Sequence, residues 1–507
     1  MSNNFMSAVK ETMDNKYNVS VTENGAVGYR TTGKELLDLN FAVASLRGAA
    51  PQDIAKRFTR AFYEDKITAM KWLFFARDVR GGLGERKLFR AILADMAKNA
   101  PEYIVPLIGL IPDYGRYDDL WCLLDTSLRD KVLMFVCSQL MDDRKNAKEG
   151  KSISLLAKWM PSRNASSPET KRYAKIIYEG IGISEREYRK MLSGLRRHLK
   201  VVERQMSAKE WGAINYETVP SRANLIYNDA FLRNDEERRR AFLASLEKGE
   251  AKINASVLFP HEILNKYRSV SGVDATLEAL WSNLPDTVNG CGNTIVVSDE
   301  SASMTWVTLP GSTARPLEVA EALAIYFAER SAGQFKDNFI TFSEQPRLVD
   351  LSNGKNLRDK MGILRSGRVG ANTNIEAVFN LILDTAISKH MTQDELPANI
   401  LIISDMEFDG CITGGVQSRP TARLFEVMAQ RYEAAGYKLP RMIFWNVASR
   451  SGTIPIKEND LGVALVSGFS PNIAKMVMSG KLDPYECLLE TLNTERYDPI
   501  AKALEGV

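Results

Sequence analysis

The spacing of apolar residues along this chain changes once, near residue 290. Between Glu35 and about Leu284 apolar residues recur every three or four positions, the period of helices that bury one face. After Cys291, short apolar runs alternate with amphipathic stretches, which predicts strands that alternate with helices. This change in the spacing of apolar residues predicts a helical region followed by an α/β region.

Helical spacing in the first part is broken by prolines and glycines that mark helix ends. Pro51 and Pro101 stand at predicted helix starts, and Gly81–Gly84 separates two helices. A succession of short helices predicts a superhelix of degenerate HEAT-like repeats. The clearest helical stretches are 53–62, 67–76, 85–99, 103–111, 118–140 and 184–202.

The second part predicts a doubly wound, mostly parallel sheet, because its apolar strands alternate with helices. Three regions follow: a flexible N-terminal segment over 1–34, a helical repeat domain over 35–285 and an α/β domain over 291–507. The predicted fold class is α + α/β. The predicted strands are 293–298, 338–342, 399–404, 441–446 and 462–466, and the helices lie near 316–332, 373–389, 419–435, 471–479 and 484–494.

Composition narrows the class of protein. The 507 residues suffice for two or three domains, and no apolar run approaches the roughly 20 residues that span a bilayer. The five cysteines form no CxxC pair, and the N-terminus has no apolar leader, so we expect a cytoplasmic protein without membrane contact. With three histidines in the chain, zinc hydrolases and histidine-based triads are disfavoured, and we expect no enzyme.

One strand end carries a set of oxygen donors. A predicted strand runs into Asp299-x-Ser301-x-Ser303, Thr373 opens a later helix, and Asp405 ends another strand. Hard divalent cations take oxygen ligands, and open α/β sheets bind ligands at the carboxyl ends of their strands. The five residues predict a site for Mg²⁺, with Mn²⁺ or Ca²⁺ as alternatives. Helix caps and turn residues are the other interpretation of the same side chains.

The order of these residues resembles the metal-ion-dependent adhesion site of von Willebrand factor A domains. The usual loop of that site reads Asp-x-Ser-Gly-Ser, and here Ala302 replaces the glycine while the ligand types are kept. The resemblance implies a doubly wound, Rossmann-like domain of von Willebrand A type. It also implies an open coordination position for an acidic residue of a partner. Glu407 and Asp409 either tune the site or serve as caps and turn residues.

Basic residues outnumber acidic ones before residue 290 and acidic residues outnumber basic ones after it, although the formal net charge is only +3. The excess is steepest across 151–200, where Trp159 and Tyr173 stand among lysines and arginines. This mixture suits RNA and also suits an exposed helix pair. The candidate RNA-binding residues are Lys158, Arg163, Lys171, Arg172, Lys175, Arg196, Arg197, Lys200 and Arg204.

The glycine-rich turn at 77–86 allows two interpretations. Its arginines, Arg77, Arg80 and Arg86, either grip phosphate at a helix start or pair with Asp78 and Glu85 around a structural turn. No Gly-Lys-Ser/Thr follows, so the turn is not a P-loop.

Several long motifs resemble the DUF2828 family over about residues 35 to 480. That family is similar to the TROVE proteins, the Ro ribonucleoprotein group, in which a ring of helical repeats is closed by a von Willebrand A domain. TROVE proteins bind small non-coding RNAs and the ends of misfolded RNAs. The motifs are RDVRGGLGER at 77–86, YGRYDDL at 114–120, KWMPS at 158–162, VPS at 219–221, SDMEFD at 404–409, IFWN at 443–446 and VSGFS at 466–470.

The resemblance implies a non-enzymatic RNA-binding protein with a metal site. A protein-interaction module, in which the metal meets a partner's acidic residue, is the alternative. A metal-dependent hydrolase or nuclease ranks last, because two-metal chemistry needs clustered carboxylates and the set contains two acids.

Overall fold

Most of the chain is described by the computed structural model, and it forms two compact units. The sheet unit contains residues 1–50, 57–64 and 258–492. The helical unit contains residues 51–56, 65–257 and 493–507. The described residues are 16–288, 293–306, 308–309, 314–366, 372–410, 423–477 and 481–507, with Met6, Val9 and Met13.

A short hairpin lies near the N-terminus. Strand β1 (Ser20–Val21) pairs antiparallel with β2 (Val27–Gly28). Gly25 forms the turn with a φ of 95°, a conformation that glycine adopts at little cost. Tyr29, just beyond β2, is buried. Residues 16–34 therefore differ from the flexible segment predicted over 1–34, because apolar side chains anchor the hairpin within the sheet unit, and most of 1–15 lies outside the described residues.

Helices follow the hairpin up to residue 282. The α-helices are α1 (Glu35–Phe41), α2 (Val43–Leu46), α3 (Pro51–Glu64), α4 (Lys66–Arg77), α5 (Arg86–Asn99), α6 (Ile111–Tyr114), α7 (Arg129–Lys148), α8 (Leu156–Trp159), α9 (Pro168–Gly180), α10 (Glu185–His198), α11 (Val202–Ser207), α12 (Ser221–Asn234), α13 (Glu236–Glu247), α14 (Pro260–Arg268) and α15 (Ala275–Ser282). The 3₁₀ helices between them are Pro101–Tyr103, Val105–Leu110, Tyr117–Asp125, Trp211–Ala213 and Tyr216–Thr218.

Side-chain caps explain where several helices begin. The Asp65 carboxylate accepts the Thr68 N–H at 3.0 Å in front of α4. Before α10, the Ser184 hydroxyl accepts the Glu187 N–H at 3.2 Å, and the Glu187 carboxylate accepts the Ser184 N–H at 2.9 Å. Each cap satisfies a backbone donor that has no partner inside the helix.

Two predicted helices have a different form in the structure. The stretch 118–140 divides into a 3₁₀ helix that ends at Asp125 and the helix α7, because Thr126 is extended between them. The stretch 103–111 is mostly 3₁₀ helix, with a proline in the first turn. Periodicity of apolar residues places the buried face in both cases and does not distinguish the two kinds of helix.

Residues 35–50 and 258–285, predicted to belong to the helical domain, lie in the sheet unit. Helix α1 packs against the last strand of the sheet, and α14 packs against the helix at 316–330. Arg268 at the end of α14 forms ion pairs with Glu318 and Glu321. The predicted change of domain at 285–291 falls partly on residues 289–292, which lie outside the described residues.

The sheet has six strands in the order β5-β4-β3-β6-β7-β8, and every pair is parallel except β4 with β5. Helices alternate with its strands. The elements are β3 (Thr294–Asp299), α16 (Ser303–Trp306), α17 (Pro316–Arg330), β4 (Asn338–Phe342), β5 (Arg347–Asp350), α18 (Leu357–Arg365), α19 (Glu376–Ser388), β6 (Asn399–Ser404), α20 (Leu424–Ala434), β7 (Arg441–Asn446), β8 (Val463–Ser467), α21 (Ala474–Val477), α22 (Pro484–Leu492) and α23 (Asp498–Ala503), with short 3₁₀ helices at Gly333–Phe335, Gln393–Glu395, Pro471–Ile473 and Glu495–Tyr497.

The predicted α + α/β class is confirmed, with a helical N-terminal region followed by a mixed, mainly parallel sheet. Every residue of β3, β7 and β8 is buried, which explains their continuous apolar sequences. Strand β5 was not predicted, because it lies at the sheet edge and buries a single residue, Val349. Among the described residues, no helix is both long and apolar enough to span a membrane.

Candidate metal centre and basic surface

The acids of the predicted site lie at the carboxyl ends of two neighbouring strands. Asp299 is the last residue of β3, and Asp405 directly follows β6. These strands are paired in parallel, with Val297 opposite Ile402. Parallel pairing brings both carboxyl ends to one edge of the sheet, where α/β proteins bind ligands.

Asp299 is fully buried and joined to both strand ends. Its Oδ1 accepts the Ser301 N–H at 2.8 Å, and its Oδ2 accepts the Ser404 hydroxyl at 2.6 Å. The Ser404 Oγ in turn accepts the Met406 N–H at 2.9 Å. Met406 is a buried non-glycine residue with a φ of 64°, a strained backbone conformation. The loop after β6 is thus held in place by the side chain that also orients Asp299.

Asp405 is buried beside Asp299 and has a cationic neighbour. Its Oδ1 accepts the Glu407 N–H at 3.2 Å, and its Oδ2 accepts Nη1 of Arg450 at 3.0 Å. The hydroxyls of Ser301 and Ser303 lie 3.1 Å apart.

Electrostatics tie the two carboxylates together. Burial, followed by repulsion from Asp405, raises the pKa of Asp299 to about 7. Burial also raises the pKa of Asp405, while the charge of Arg450 and a hydrogen bond from Ser303 act in the opposite direction. Two carboxylates that repel each other in a buried position favour a cation or a proton between them.

Thr373 meets the loop after β6 rather than the other predicted ligands. Its N–H donates to Oδ2 of Asp409 at 3.0 Å, and its Oγ1 accepts Nδ2 of Asn24 at 3.1 Å. The same amide nitrogen donates to the Glu407 carbonyl at 2.6 Å. Direct or electrostatic contacts therefore connect four of the predicted ligands, and Thr373 joins them through the neighbouring backbone. Gly370 and Ala371, which come shortly before Thr373 in the sequence, lie outside the described residues.

The hairpin at 20–28 covers this edge of the sheet, which the sequence did not indicate. The Glu23 N–H donates to Oε2 of Glu407 at 2.9 Å. The Glu23 carboxylate accepts Nε of Arg450 at 2.8 Å. Gly25 forms a bridge with Asp409. Arg450 therefore connects the hairpin to a predicted metal ligand, and no local motif around Arg450 marks that role.

Glu407 and Asp409 have structural roles among the described residues. Oε1 of the buried Glu407 accepts the N–H groups of Arg450 at 2.7 Å and Ser451 at 2.8 Å. Asp409 pairs with the Thr373 backbone in both directions, since its own N–H donates to the Thr373 carbonyl at 3.1 Å. Both acids therefore hold turns together, as one of the two interpretations predicts; the other interpretation, in which they tune the metal site, stays a prediction.

The donor set fits a hard divalent cation. The carboxylates of Asp299 and Asp405 each keep lone pairs beyond the hydrogen bonds that they accept, and hydroxyl oxygens lie beside them. Within the described residues, no three His, Cys, Asp or Glu side chains gather as a metal cluster. A cation here would therefore rely on two acids and on hydroxyl, backbone or water oxygens.

Most of the predicted RNA-binding side chains have partners inside the protein. Ion pairs join Arg163 to Glu185, Arg172 to Asp125, Lys175 to Glu179 and Arg204 to Glu210. These pairs neutralise much of the charge that the sequence suggested for a nucleic-acid surface.

Arg196 is also engaged within the helical unit. Its guanidinium donates to the carbonyls of Ala157 at 2.8 Å and Met160 at 2.7 Å, and to the Ser162 hydroxyl at 2.9 Å. Of the remaining candidates, Lys158 lies 5.6 Å from the ring centroid of Trp159. Lys171, Arg197 and Lys200 make no ion pair within the described part of the chain.

Comparison with known proteins establishes the family. The family described as "Domain of unknown function (DUF2828)" matches residues 22–131 and 164–296. "Uncharacterized protein L728" of Acanthamoeba polyphaga mimivirus is 31% identical over 523 residues, covering 95% of this chain and 89% of that protein. The chain belongs to the DUF2828 family.

The match to DUF2828 confirms the predicted family for the N-terminal region. It starts at residue 22, earlier than predicted, and ends at residue 296, before the metal candidates. A second family, "Domain of unknown function (DUF7788)", matches residues 293–500, and this match includes all six strands of the sheet. Lys158 and Arg163 lie between the two DUF2828 segments.

Proposed function

We propose that this DUF2828 protein is a non-enzymatic binding protein whose sheet unit holds Mg²⁺, or Mn²⁺ or Ca²⁺ in its place. The convergence of Asp299 and Asp405 with the hydroxyls of Ser301 and Ser303 at adjacent strand ends is the observation that carries the proposal. Thr373 completes the proposed ligand set. A divalent cation held by these residues supplies an open coordination position for an incoming oxygen ligand.

The proposed domain type is a von Willebrand factor A-like domain with a metal-ion-dependent adhesion site. The parallel sheet with one antiparallel edge strand and the acidic loop after β3 support it. For the helical unit we propose degenerate HEAT-like repeats related to TROVE proteins. Pairs of consecutive helices that pack on each other, such as α4 with α5 and α12 with α13, support this part.

Titration of the metal-stripped full chain with Mn²⁺ tests the metal part of the proposal. We expect one Mn²⁺ per chain by isothermal titration calorimetry, and we expect Mg²⁺ to displace it, because both ions prefer oxygen ligands. Absence of heat and of a shift in melting temperature at millimolar Mn²⁺ would reject the site.

RNA is the proposed partner of the helical unit, as in the Ro/TROVE group that the sequence resembles. Lys158, Lys171, Arg197 and Lys200 form no ion pair with any residue that the structure describes, and their charges suit phosphate contacts. A mobility-shift assay at low salt with a pool of small and misfolded RNAs tests it, and the shift should weaken as salt rises.

A protein partner that offers an acidic residue to the metal is the second candidate. The ion pairs that neutralise Arg163, Arg172 and Arg204 favour it, because they leave less charge for RNA. Metal binding without any RNA shift at micromolar protein would support this candidate over RNA. In that case, removing the bound Mg²⁺ with a chelator should release the captured partner.

A further inference from the structure

A buried carboxylate within the helical unit accepts hydrogen bonds from three arginines, two through their guanidiniums and one through its backbone. Asp119 has no exposed surface, and its Oδ2 accepts Nε of Arg77 at 2.7 Å. Its Oδ1 accepts Nε of Arg90 at 2.7 Å, and the Arg116 N–H donates to Oδ2 at 3.0 Å. A second ion pair joins Nη2 of Arg90 to Asp118 at 2.9 Å. Arg77 and Arg90 therefore neutralise the two aspartates.

The other two guanidiniums of this cluster have no such partner. Within the described residues, the side chains of Arg86 and Arg116 make no hydrogen bond or ion pair. Arg86 begins α5 and lies one turn before Arg90 on the same helix face. Of the two interpretations of the glycine-rich turn, a structural role holds for Arg77, although its partner is Asp119 and not the predicted Asp78 or Glu85. The Arg86 guanidinium is attracted by Asp118 and Asp119 without forming an ion pair with either.

An aromatic ring holds the second free guanidinium in place. The Cζ of Arg116 lies 4.5 Å from the ring centroid of Trp159, and Nζ of Lys158 lies 5.6 Å from the same centroid. The backbone that carries the ring is itself anchored, because the Trp159 carbonyl accepts a hydrogen bond from Nε1 of Trp121 at 3.3 Å. Cation–π contact orients a guanidinium and leaves its N–H groups available.

Electrostatic strain in the cluster points to an anion. Burial and repulsion from Arg90 lower the pKa of Arg86. Burial lowers the pKa of Arg116 as well, and Arg77 and Arg86 add to that effect against the pull of Asp118. A bound anion would relieve the repulsion among these guanidiniums, and a guanidinium fork matches the oxygens of a phosphate group.

We propose that Arg86 and Arg116, with Lys158, form a phosphate-binding site that contacts the backbone of single-stranded RNA. The proposal rests on RNA binding by the helical unit and names the residues that carry it. The ion pairs of Asp119 with Arg77 and Arg90 fix the surrounding backbone and side chains, and Trp159 positions Arg116. Phosphate recognition implies affinity for RNA with little choice of base sequence.

Fluorescence anisotropy of the full-length protein with a labelled single-stranded RNA of mixed sequence tests the site. We expect Arg86→Gln and Arg116→Gln each to weaken binding about tenfold, the scale of one charged hydrogen-bonding contact. Each variant should also reduce the slope of log affinity against log salt by about one. The matched control is Arg144→Gln, an exposed arginine of α7 with the same change in charge, which should alter neither quantity.

A calorimetric titration with inorganic phosphate separates the two parts of the proposal. Phosphate binding that both variants lose, without RNA binding by the wild type, would support the site for small phosphates and overturn the RNA contact. RNA binding that neither variant changes would overturn the site and leave RNA binding to other residues. Absence of both kinds of binding would overturn both. Melting temperatures of the variants should stay close to that of the wild type, because neither guanidinium makes a hydrogen bond or ion pair within the described residues and Arg116→Gln loses only the contact with the Trp159 ring.

Discussion

The acids of the proposed metal site in the sheet unit and the basic residues at 158–204 in the helical unit differ in where their partners lie. In the sheet unit, Asp299 and Asp405 are buried side by side, and one guanidinium, that of Arg450, is bonded to Asp405. In the helical unit, cations such as Arg163 and Arg172 meet acids at the surface. The difference shows that a short motif at strand ends predicts a cluster better than a run of like charges predicts a binding surface.

Geometry explains that difference. The positions of the two acids follow from the parallel pairing of β3 and β6, which a strand pattern already contains. The fate of a surface arginine depends on acids elsewhere in the chain, as Arg172 shows with Asp125 and Arg163 with Glu185. The following predictions test each side of the comparison.

Loss of one buried carboxylate should have the largest effect on metal binding. We expect Asp299→Asn to weaken Mn²⁺ binding at least about a hundredfold, because it removes a ligand charge and keeps the side chain's shape. Calorimetry on the metal-stripped chain measures the affinity. The control is Asp394→Asn, an exposed acid of the same unit. Unchanged affinity in Asp299→Asn would place the metal elsewhere.

Metal affinity should rise with pH below neutrality. The pKa of Asp299 is raised to about 7, mainly by burial, and a cation must displace the proton. We expect Mn²⁺ affinity to rise roughly tenfold per pH unit up to about pH 7 and then to level off. Titrations at several pH values in one salt concentration measure this dependence.

The stability of the metal-free protein should fall as pH rises toward neutrality. The folded pKa of Asp299 lies above its unfolded value near 4, so the protonated carboxyl stabilises the fold at low pH. That contribution is lost as pH rises from about 4 through about 7. Chemical unfolding in chelator should show this decline, and Asp299→Asn should flatten it. A wild-type stability that increases over this interval contradicts the assignment.

Two adjacent arginines of α10 should behave differently. We expect Arg196→Ala to lower the local free energy of opening by about 2 kcal/mol, because it leaves carbonyls of the preceding segment without their donor. Arg197→Ala should change it by less than about 0.5 kcal/mol. Hydrogen exchange of the amides at 155–162 measures both. Equal protection in the two variants would mean that Arg196 is a surface residue like Arg197.

Arg450→Gln should have the smallest effect. It should lower the stability of the metal-free protein and raise its affinity for Mn²⁺. It removes the cation bonded to Asp405, so the metal-free sheet unit should lose about 1 kcal/mol of stability. Mn²⁺ affinity should rise several-fold up to about tenfold, because a positive charge no longer competes at that carboxylate. Unfolding in chelator and calorimetry measure the two effects. The control is Lys438→Gln, which removes an exposed pair with Asp460.

The sequence predicts the sheet unit closely because buried parallel strands have an unmistakable pattern. Strands β4, β6 and β7 have the predicted bounds, and Asp299 and Asp405 follow from them. The sequence does not predict the roles of Glu23, Asn24 and Arg450 at this site. Their contacts join the hairpin to the loops after β6 and β7, which lie far from it in the chain.

In the helical unit, the sequence predicts which helix faces are buried and does not predict what they pack against. Apolar periodicity locates its buried faces, yet residues 35–50 and 258–285 share that periodicity and pack in the sheet unit. Helical spacing reports that a face is buried and does not report against what. The absence of an ion pair at Arg86, within the described residues, likewise becomes visible only when Asp119, 33 positions later, is seen to bond Arg77 and Arg90 instead.

Anomalous diffraction from crystals soaked in Mn²⁺ tests the central claim most directly. The account predicts one strong anomalous peak at the carboxyl edge of the sheet, within ligand distance of a carboxylate oxygen of Asp299 or Asp405 and of a Ser301 or Ser303 hydroxyl. The peak should be absent from Asp299→Asn crystals soaked in the same solution. A wild-type map with no peak there, or with its strongest peak at another group of acids, would contradict the account.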